Sequence, residues 1–187
     1  MNRRFFLALL TAFLPTTGLA QEGTAPPTQA KPVTVFLLRH AETAADTREN
    51  TDPELSAEGQ QRTQDLVQLL GHAGITHAFS TEFNRTRGVL VPLAQAAKVE
   101  IETIKSVDSD GQLTALLELP PGSVAVVAGH SNTIPRLVSS LGGSAQNLVR
   151  GNLDHDSYDR VFCVTMPSGG SATSTIELRY GKPCVLK

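Results

Sequence analysis

The chain has 187 residues, of which 40% are hydrophobic and 18% charged, and its formal net charge is −2. That length suffices for one domain with a substantial core, not two. The balance is that of an ordinary globular protein, and with no long basic tract it gives no support to a nucleic-acid partner.

The first element is unlike the rest. "MNRR" carries two positive charges, "FFLALLTAFL" is apolar but for Thr11, and "PTTGLA" ends in small residues. This order predicts a secretory signal peptide over residues 1–20, cleaved near Ala20, and hence an exported, periplasmic or secreted protein. The apolar run is short for a membrane span, so no stable insertion is expected once the signal is removed. Arg3-Arg4-Phe5-Phe6-Leu7 also resembles a twin-arginine export signal, and both export routes stay open. Removal of residues 1–20 takes away Arg3 and Arg4 and no acidic residue, leaving 14 basic against 18 acidic side chains. A phosphate site on such a surface has to be built locally. Residues 21–32, rich in Pro, Gly, Thr and Gln, are expected to be a disordered leader, and residues 33–187 the domain.

Within the domain, "VTVFLLRH" (33–40) predicts a buried strand. Residues 55–74 carry Leu55, Leu66, Val67, Leu69 and Leu70 near helical spacing, with Ser56 as N-cap and Gly71 or Gly74 at the end. A short strand follows over 77–81, then a helix over 84–97 that Pro92 should kink or interrupt. A third strand is predicted over 99–104 and a helix over 110–119, stopped by Pro120-Pro121-Gly122. "SVAVVAGH" (123–130) is a fourth buried strand. The helix after it should have Asn132 as N-cap, Pro135 in its first turn and Gly142-Gly143 at its end. Strands over 160–166 and 174–180 should close the chain as a hairpin through "PSGGSA". Alternating strands and helices predict an α/β protein, a three-layer α/β/α sandwich around a mostly parallel sheet.

In such sheets ligands bind beyond the carboxyl ends of the strands. Three of those ends carry related chemistry: Arg39 and His40; Ser80 or Thr81 followed by Arg85 on the next helix; and His130, backed by a helix N-terminus. Two guanidiniums and a helix N-terminus form an anion cradle. A neutral imidazole beside it can attack phosphorus, and a protonated one can hold an equatorial oxygen as charge develops.

These residues resemble the histidine phosphatase superfamily, the phosphoglycerate mutase-like fold. "LRHAET", "STEFNRT" and "VVAGHSNT" match its three motifs in order, and the resemblance covers roughly residues 33–166. It implies that His40 is a nucleophile that becomes phosphorylated, and that Arg39, Arg85 and His130 bind the phosphoryl group. It implies no metal or organic cofactor. The partner expected is a small phosphorylated substrate or a phosphoprotein. The sequence departs from the family at Asp46, where many relatives have asparagine, and at "GVLVP" after the second arginine, where relatives often have Thr-Ala. Glu82 is the first candidate for the proton donor, with Asp108 and Asp110 next. Ser131 is expected to shape the phosphate loop.

Two other readings compete. Gly129-His130-Ser131 could open a serine hydrolase elbow with Ser131 as nucleophile, but Thr133 stands where that motif needs glycine, and only His155, with Asp154 or Asp156, could complete a triad. A non-catalytic module that binds a phosphorylated ligand in the same cradle is the other. A mutase would need a lid that holds its intermediate from water, and no long insertion follows Arg85 to supply one. Specificity is assigned to the loops 41–54, 105–112 and 143–159, the last containing Arg150, Asn152, His155 and Tyr158. Cys163 and Cys184 are expected to form a disulfide in an oxidising compartment.

Overall fold

The computed structural model describes residues 30–45, 49–167 and 174–184. The expected signal peptide, most of the leader, Asp46 and the tip of the terminal hairpin lie outside the described residues. Ten elements follow in chain order: β1 (Val33–Arg39), α1 (Ala57–Leu70), β2 (His77–Ser80), α2 (Asn84–Ala97), β3 (Ile101–Thr103), α3 (Ser109–Leu117), β4 (Val124–Gly129), α4 (Thr133–Ser140), β5 (Arg160–Met166) and β6 (Ser174–Arg179).

The strands form one six-stranded sheet in the order β3-β2-β4-β1-β5-β6. The four strands from β3 to β1 run parallel, while β5 is antiparallel to β1 and β6 to β5. Alternate residues of the central strands feed two cores. Val35 and Leu37 of β1 pack with Leu116 of α3 and Ile134, Leu137 and Val138 of α4. Phe36 and Leu38 pack on the opposite face with Leu66 and Leu70 of α1 and Val89, Leu90 and Leu93 of α2. Burial on both faces explains why β1 and β4 read as continuous apolar runs. The result is the expected three-layer sandwich.

Register brings the functional ends level. Arg39 pairs with Gly129 across β1 and β4, and Ser80 with Ala128 across β2 and β4. Gly129 is required at that edge: a Cβ there would lie 2.8 Å from Thr133 Oγ1 and 2.9 Å from Ile134 Cδ1, so only glycine lets α4 turn so sharply off its strand.

Three local expectations are corrected and a fourth, at Asn132, is met in position only. Pro92 sits inside α2 without interrupting it; proline removes a single backbone donor, and packing of Val89, Leu90, Leu93 and Ala94 on the sheet holds the helix through that gap. The third strand is only three residues long, at the sheet's edge. Asn132 stands at the N-cap of α4 as expected, but its side chain makes no cap bond; the hydroxyl of Thr133 accepts the His130 N–H, at 2.9 Å. Cys163 and Cys184 are free thiols. Cys163 faces the α1–α2 side of the sheet, whereas the Cys184 sulfur accepts the Tyr158 N–H at 3.4 Å.

Candidate functional site

His40 is 7% exposed. Its Nδ1 lies 2.8 Å from the Ala41 carbonyl, an acceptor only, so Nδ1 carries the proton and Nε2 keeps a free lone pair. Burial pushes its pKa down to about 3, helped by the neighbouring charges of Arg39, His130 and Arg85. The ring is therefore neutral across the ordinary pH range.

Arg39, 6% exposed, is held by groups distant in sequence. One terminal nitrogen donates to the carbonyls of Asp154, at 3.2 Å, and His155, at 2.6 Å. The guanidinium lies over the Tyr158 ring, 4.2 Å from its centroid, with the Tyr158 hydroxyl 3.4 Å from the other terminal nitrogen. Its buried Nε–H has no partner among the described residues.

The loop between β2 and α2 places the next groups. Arg85 stacks on Phe83 at 4.3 Å and donates to Asp52 Oδ1 at 3.1 Å. Both Asp52 oxygens also accept the Asn84 N–H, at 3.1 and 2.9 Å, so the carboxylate caps α2 from another loop. Phe83 meets the His130 ring edge-on, with centroids 5.1 Å apart. His130 Nε2 lies 3.2 Å from Thr81 Oγ1, and its ring is 5.6 Å from that of His40. Burial lowers the His130 pKa to about 4; Arg85 adds to that, and Glu82 and Asp52 oppose it.

The structure thus brings Arg39, His40, Arg85 and His130 together as the sequence motifs require. Glu82 stands beside them, exposed, with one oxygen accepting the Ser106 N–H at 2.7 Å and the other the Ser106 hydroxyl at 3.0 Å. Desolvation pushes the Glu82 carboxyl up, but bonds from its own backbone and from Ser106 together hold it below the usual range. Asp108 caps α3 through the Gly111 N–H at 2.9 Å, and Asp110 lies exposed in that helix's first turn. Ser131 contributes its carbonyl, which accepts the Leu153 N–H at 2.9 Å and ties the 143–159 loop to the site. Its φ is not positive, so it lacks the strained turn of a nucleophile elbow. The His155 side chain is exposed and pairs with Asp156 at 3.0 Å. Among the described residues no group of three His, Cys, Asp or Glu side chains is placed to hold a metal, and no helix is long and apolar enough to cross a membrane.

Asp52, Phe83 and the stacking role of Tyr158 escaped the sequence reading. Asp52 acts on a helix 32 residues away and Tyr158 on an arginine 119 residues away, separations over which no local pattern carries a signal.

The sequence model of the histidine phosphatase superfamily (branch 1) matches residues 35–108, which span His40 and Arg85. Among solved structures, the protein histidine phosphatase SixA complexed with tungstate aligns with a TM-score of 0.61 at 16% identity, covering 78% of this chain and 96% of that one. The mycobacterial glucosyl-3-phosphoglycerate phosphatase aligns at 0.53 and 13% identity, covering 80% and 99%. Phosphoglycerate mutase from Plasmodium falciparum gives 0.52 and 13% identity, covering 84% and 95%. No curated protein matches the sequence significantly. At these identities the structural likeness is one of fold. The chain is thus similar to the histidine phosphatase superfamily over residues 35–108, and its α/β fold matches that of these solved structures.

Proposed function

We propose that the protein is a phosphatase that hydrolyses a phosphomonoester through a phosphohistidine on His40. The observation that carries this reading is the tautomer of His40: Nδ1–H is given to the Ala41 carbonyl, so a neutral Nε2 faces attack duty beside two guanidiniums. In the first step the Nε2 lone pair forms a bond to phosphorus while the bond from phosphorus to the leaving oxygen breaks with its electron pair. In the second, water attacks phosphorus, the P–N bond breaks, and its electrons return to Nε2. One water proton is lost to solvent or to the leaving group. Arg39 and Arg85 hold the non-bridging oxygens throughout, and the buried Arg39 Nε–H is one donor that a phosphoryl oxygen would satisfy. His130 takes up a proton as the dianion binds and donates to an equatorial oxygen. A SixA structure holding tungstate, a tetrahedral oxyanion, is consistent with such a cradle.

A donor to the leaving oxygen must hold its proton at neutral pH. The Glu82 carboxyl accepts the N–H and hydroxyl of Ser106, which favours its ionised form, and Asp108 is committed to capping α3. The reaction we propose therefore favours leaving groups that depart as weak bases, in a small phosphorylated molecule or in a phosphoprotein. Residues 1–20 support an exported enzyme, working in the periplasm or outside the cell.

Turnover of an aryl phosphate in EDTA, by the wild type, His40→Ala and Ser131→Ala, tests this reading. We expect activity in the wild type and in Ser131→Ala, and none in His40→Ala. The phosphoenzyme should be trapped as an acid-labile, base-stable adduct on His40. Turnover that survives loss of His40, or that depends on Ser131, would overturn it.

A further inference from the structure

Unlike His40, whose ring is set by a backbone carbonyl, His130 meets a side-chain hydroxyl at its Nε2. Its Nε2 lies 3.2 Å from the hydroxyl of Thr81, which is 3% exposed. That hydroxyl lies 2.7 Å from the hydroxyl of the fully buried Thr86. Thr86 Oγ1 in turn lies 2.8 Å from the Phe83 carbonyl. Each hydroxyl has one hydrogen to give. The chain ends on a carbonyl, which can only accept, so Thr86 donates to Phe83. The 2.7 Å contact is then made by the Thr81 hydrogen, with Thr86 accepting. Thr81 has no hydrogen left for the imidazole and must accept from Nε2–H. The reverse polarity would set two oxygen lone pairs against each other at 2.8 Å inside the protein.

We propose that Thr81, backed by Thr86, is the positioning residue for His130: the two hydroxyls hold the imidazole as its Nε2–H tautomer and so leave Nδ1 as the nitrogen that serves the phosphoryl group. This rests on His130 acting on a phosphoryl group, as proposed above. Phe83 reinforces the arrangement. It supplies the terminal acceptor through its carbonyl and presses its ring edge-on to the imidazole, fixing the ring plane while the hydroxyls fix the proton. One short loop thereby orients both His130 and, through the stack on Phe83, Arg85.

The wild-type protein, labelled with 15N in its histidines, gives the first test, because the two ring nitrogens of a neutral imidazole have well-separated shifts. His130 should show its proton on Nε2 in the ligand-free protein at neutral pH. A proton on Nδ1 would overturn the proposal. Thr81→Val keeps the side-chain shape but removes the hydroxyl. It should give a mixed or Nδ1–H tautomer and lower kcat for an aryl phosphate by about 10- to 100-fold, the usual range for losing the orienting partner of a functional histidine, with a smaller change in KM. Thr81→Ser should restore both. Thr86→Val frees the Thr81 hydrogen to turn towards Nε2, so it should shift the tautomer although Thr81 is intact. Thr81→Val with unchanged tautomer and kcat would reduce Thr81 to packing. If the wild type lacks phosphatase activity, the reading of the reaction fails, while the nitrogen shifts still decide the relay.

Discussion

One hydrogen bond to a carbonyl decides what His40 can do. With Nδ1–H committed to Ala41, the ring can offer only Nε2, and burial keeps that nitrogen unprotonated. The same burial has a stability consequence whose sign is fixed. In the unfolded chain His40 protonates near its ordinary value of 6.5, whereas in the folded protein it stays neutral to about 3. The unfolded state therefore binds the extra proton between those values. Stability from this group is complete above pH 6.5 and is lost as pH falls towards 3, by up to about 1.4 kcal/mol per pH unit. Urea midpoints at pH 7, 5.5 and 4.5 should fall in that order, and His40→Asn should flatten the slope. A slope unchanged by His40→Asn would mean that other groups carry the acid sensitivity. Tyr158 offers a second residue-scale test. Its ring lies under the Arg39 guanidinium and its hydroxyl makes only a long contact. Tyr158→Ala should weaken oxyanion binding by about 3- to 30-fold, the range of a partly desolvated cation–π contact, while Tyr158→Phe should bind nearly as the wild type. Inhibition constants for tungstate would measure both. The identity of the four central residues was legible from their motifs alone. Tyr158 was legible only as a polar residue in a candidate loop.

At the scale of elements, helix α1 abuts the loop that follows His40 through a glycine. A Cβ on Gly59 would collide with the Glu42 carbonyl, two residues beyond His40, and Ser56 caps the same helix through the Gly59 N–H at 3.2 Å. Neither backbone can yield without moving α1 off its core or shifting the loop that follows β1. Gly59→Ala should cost about 1–3 kcal/mol, in the range of overpacked core sites, and should reduce turnover as well. Thermal melts and aryl phosphatase assays on the same sample would check it; a stable and fully active variant would show that the loop adapts freely. The order and type of every described element were readable from periodicity, because each strand and helix shows its apolar face to one of two cores. Pro92 misled because local rules treat a proline as a break, whereas packing of α2 on the sheet outweighs the lost donor. Asn132 takes the N-cap position its residue type predicts, without a side-chain bond.

Across the whole molecule, the C-terminal segment straps the two halves of the site together. Arg62, 4% exposed, forms a two-pronged pair with Glu42, in the loop that follows His40, and donates to the carbonyls of Tyr180, at 3.0 Å, and Lys182, at 3.1 Å. Cys184 accepts the Tyr158 N–H and its own N–H donates to Asp159, which also pairs with Arg179. The tail thus braces the loop that carries Tyr158 to Arg39. Arg62→Met should destabilise the fold by roughly 2–3 kcal/mol, below the full value for a broken buried pair because Glu42 keeps 24% exposure. A lower denaturant midpoint with an unchanged m-value is the expected reading. No loss of stability would mean that the strap is dispensable. The free cysteines belong to this scale too, since whether two thiols meet depends on which face of the sheet each element presents.

The sequence by itself determined the alternation of strands and helices, and with it the parallel sheet whose strand ends carry Arg39, His40, Thr81 and His130. These follow from period and from motif order, which are local or nearly so. Only the tertiary structure decided the partners: Asp52 on Arg85, Tyr158 on Arg39, the threonine pair behind His130, and Cys184 against Tyr158 rather than Cys163. Such pairs join residues far apart in the chain, and no sequence period encodes a contact that exists only once the sheet has set its register.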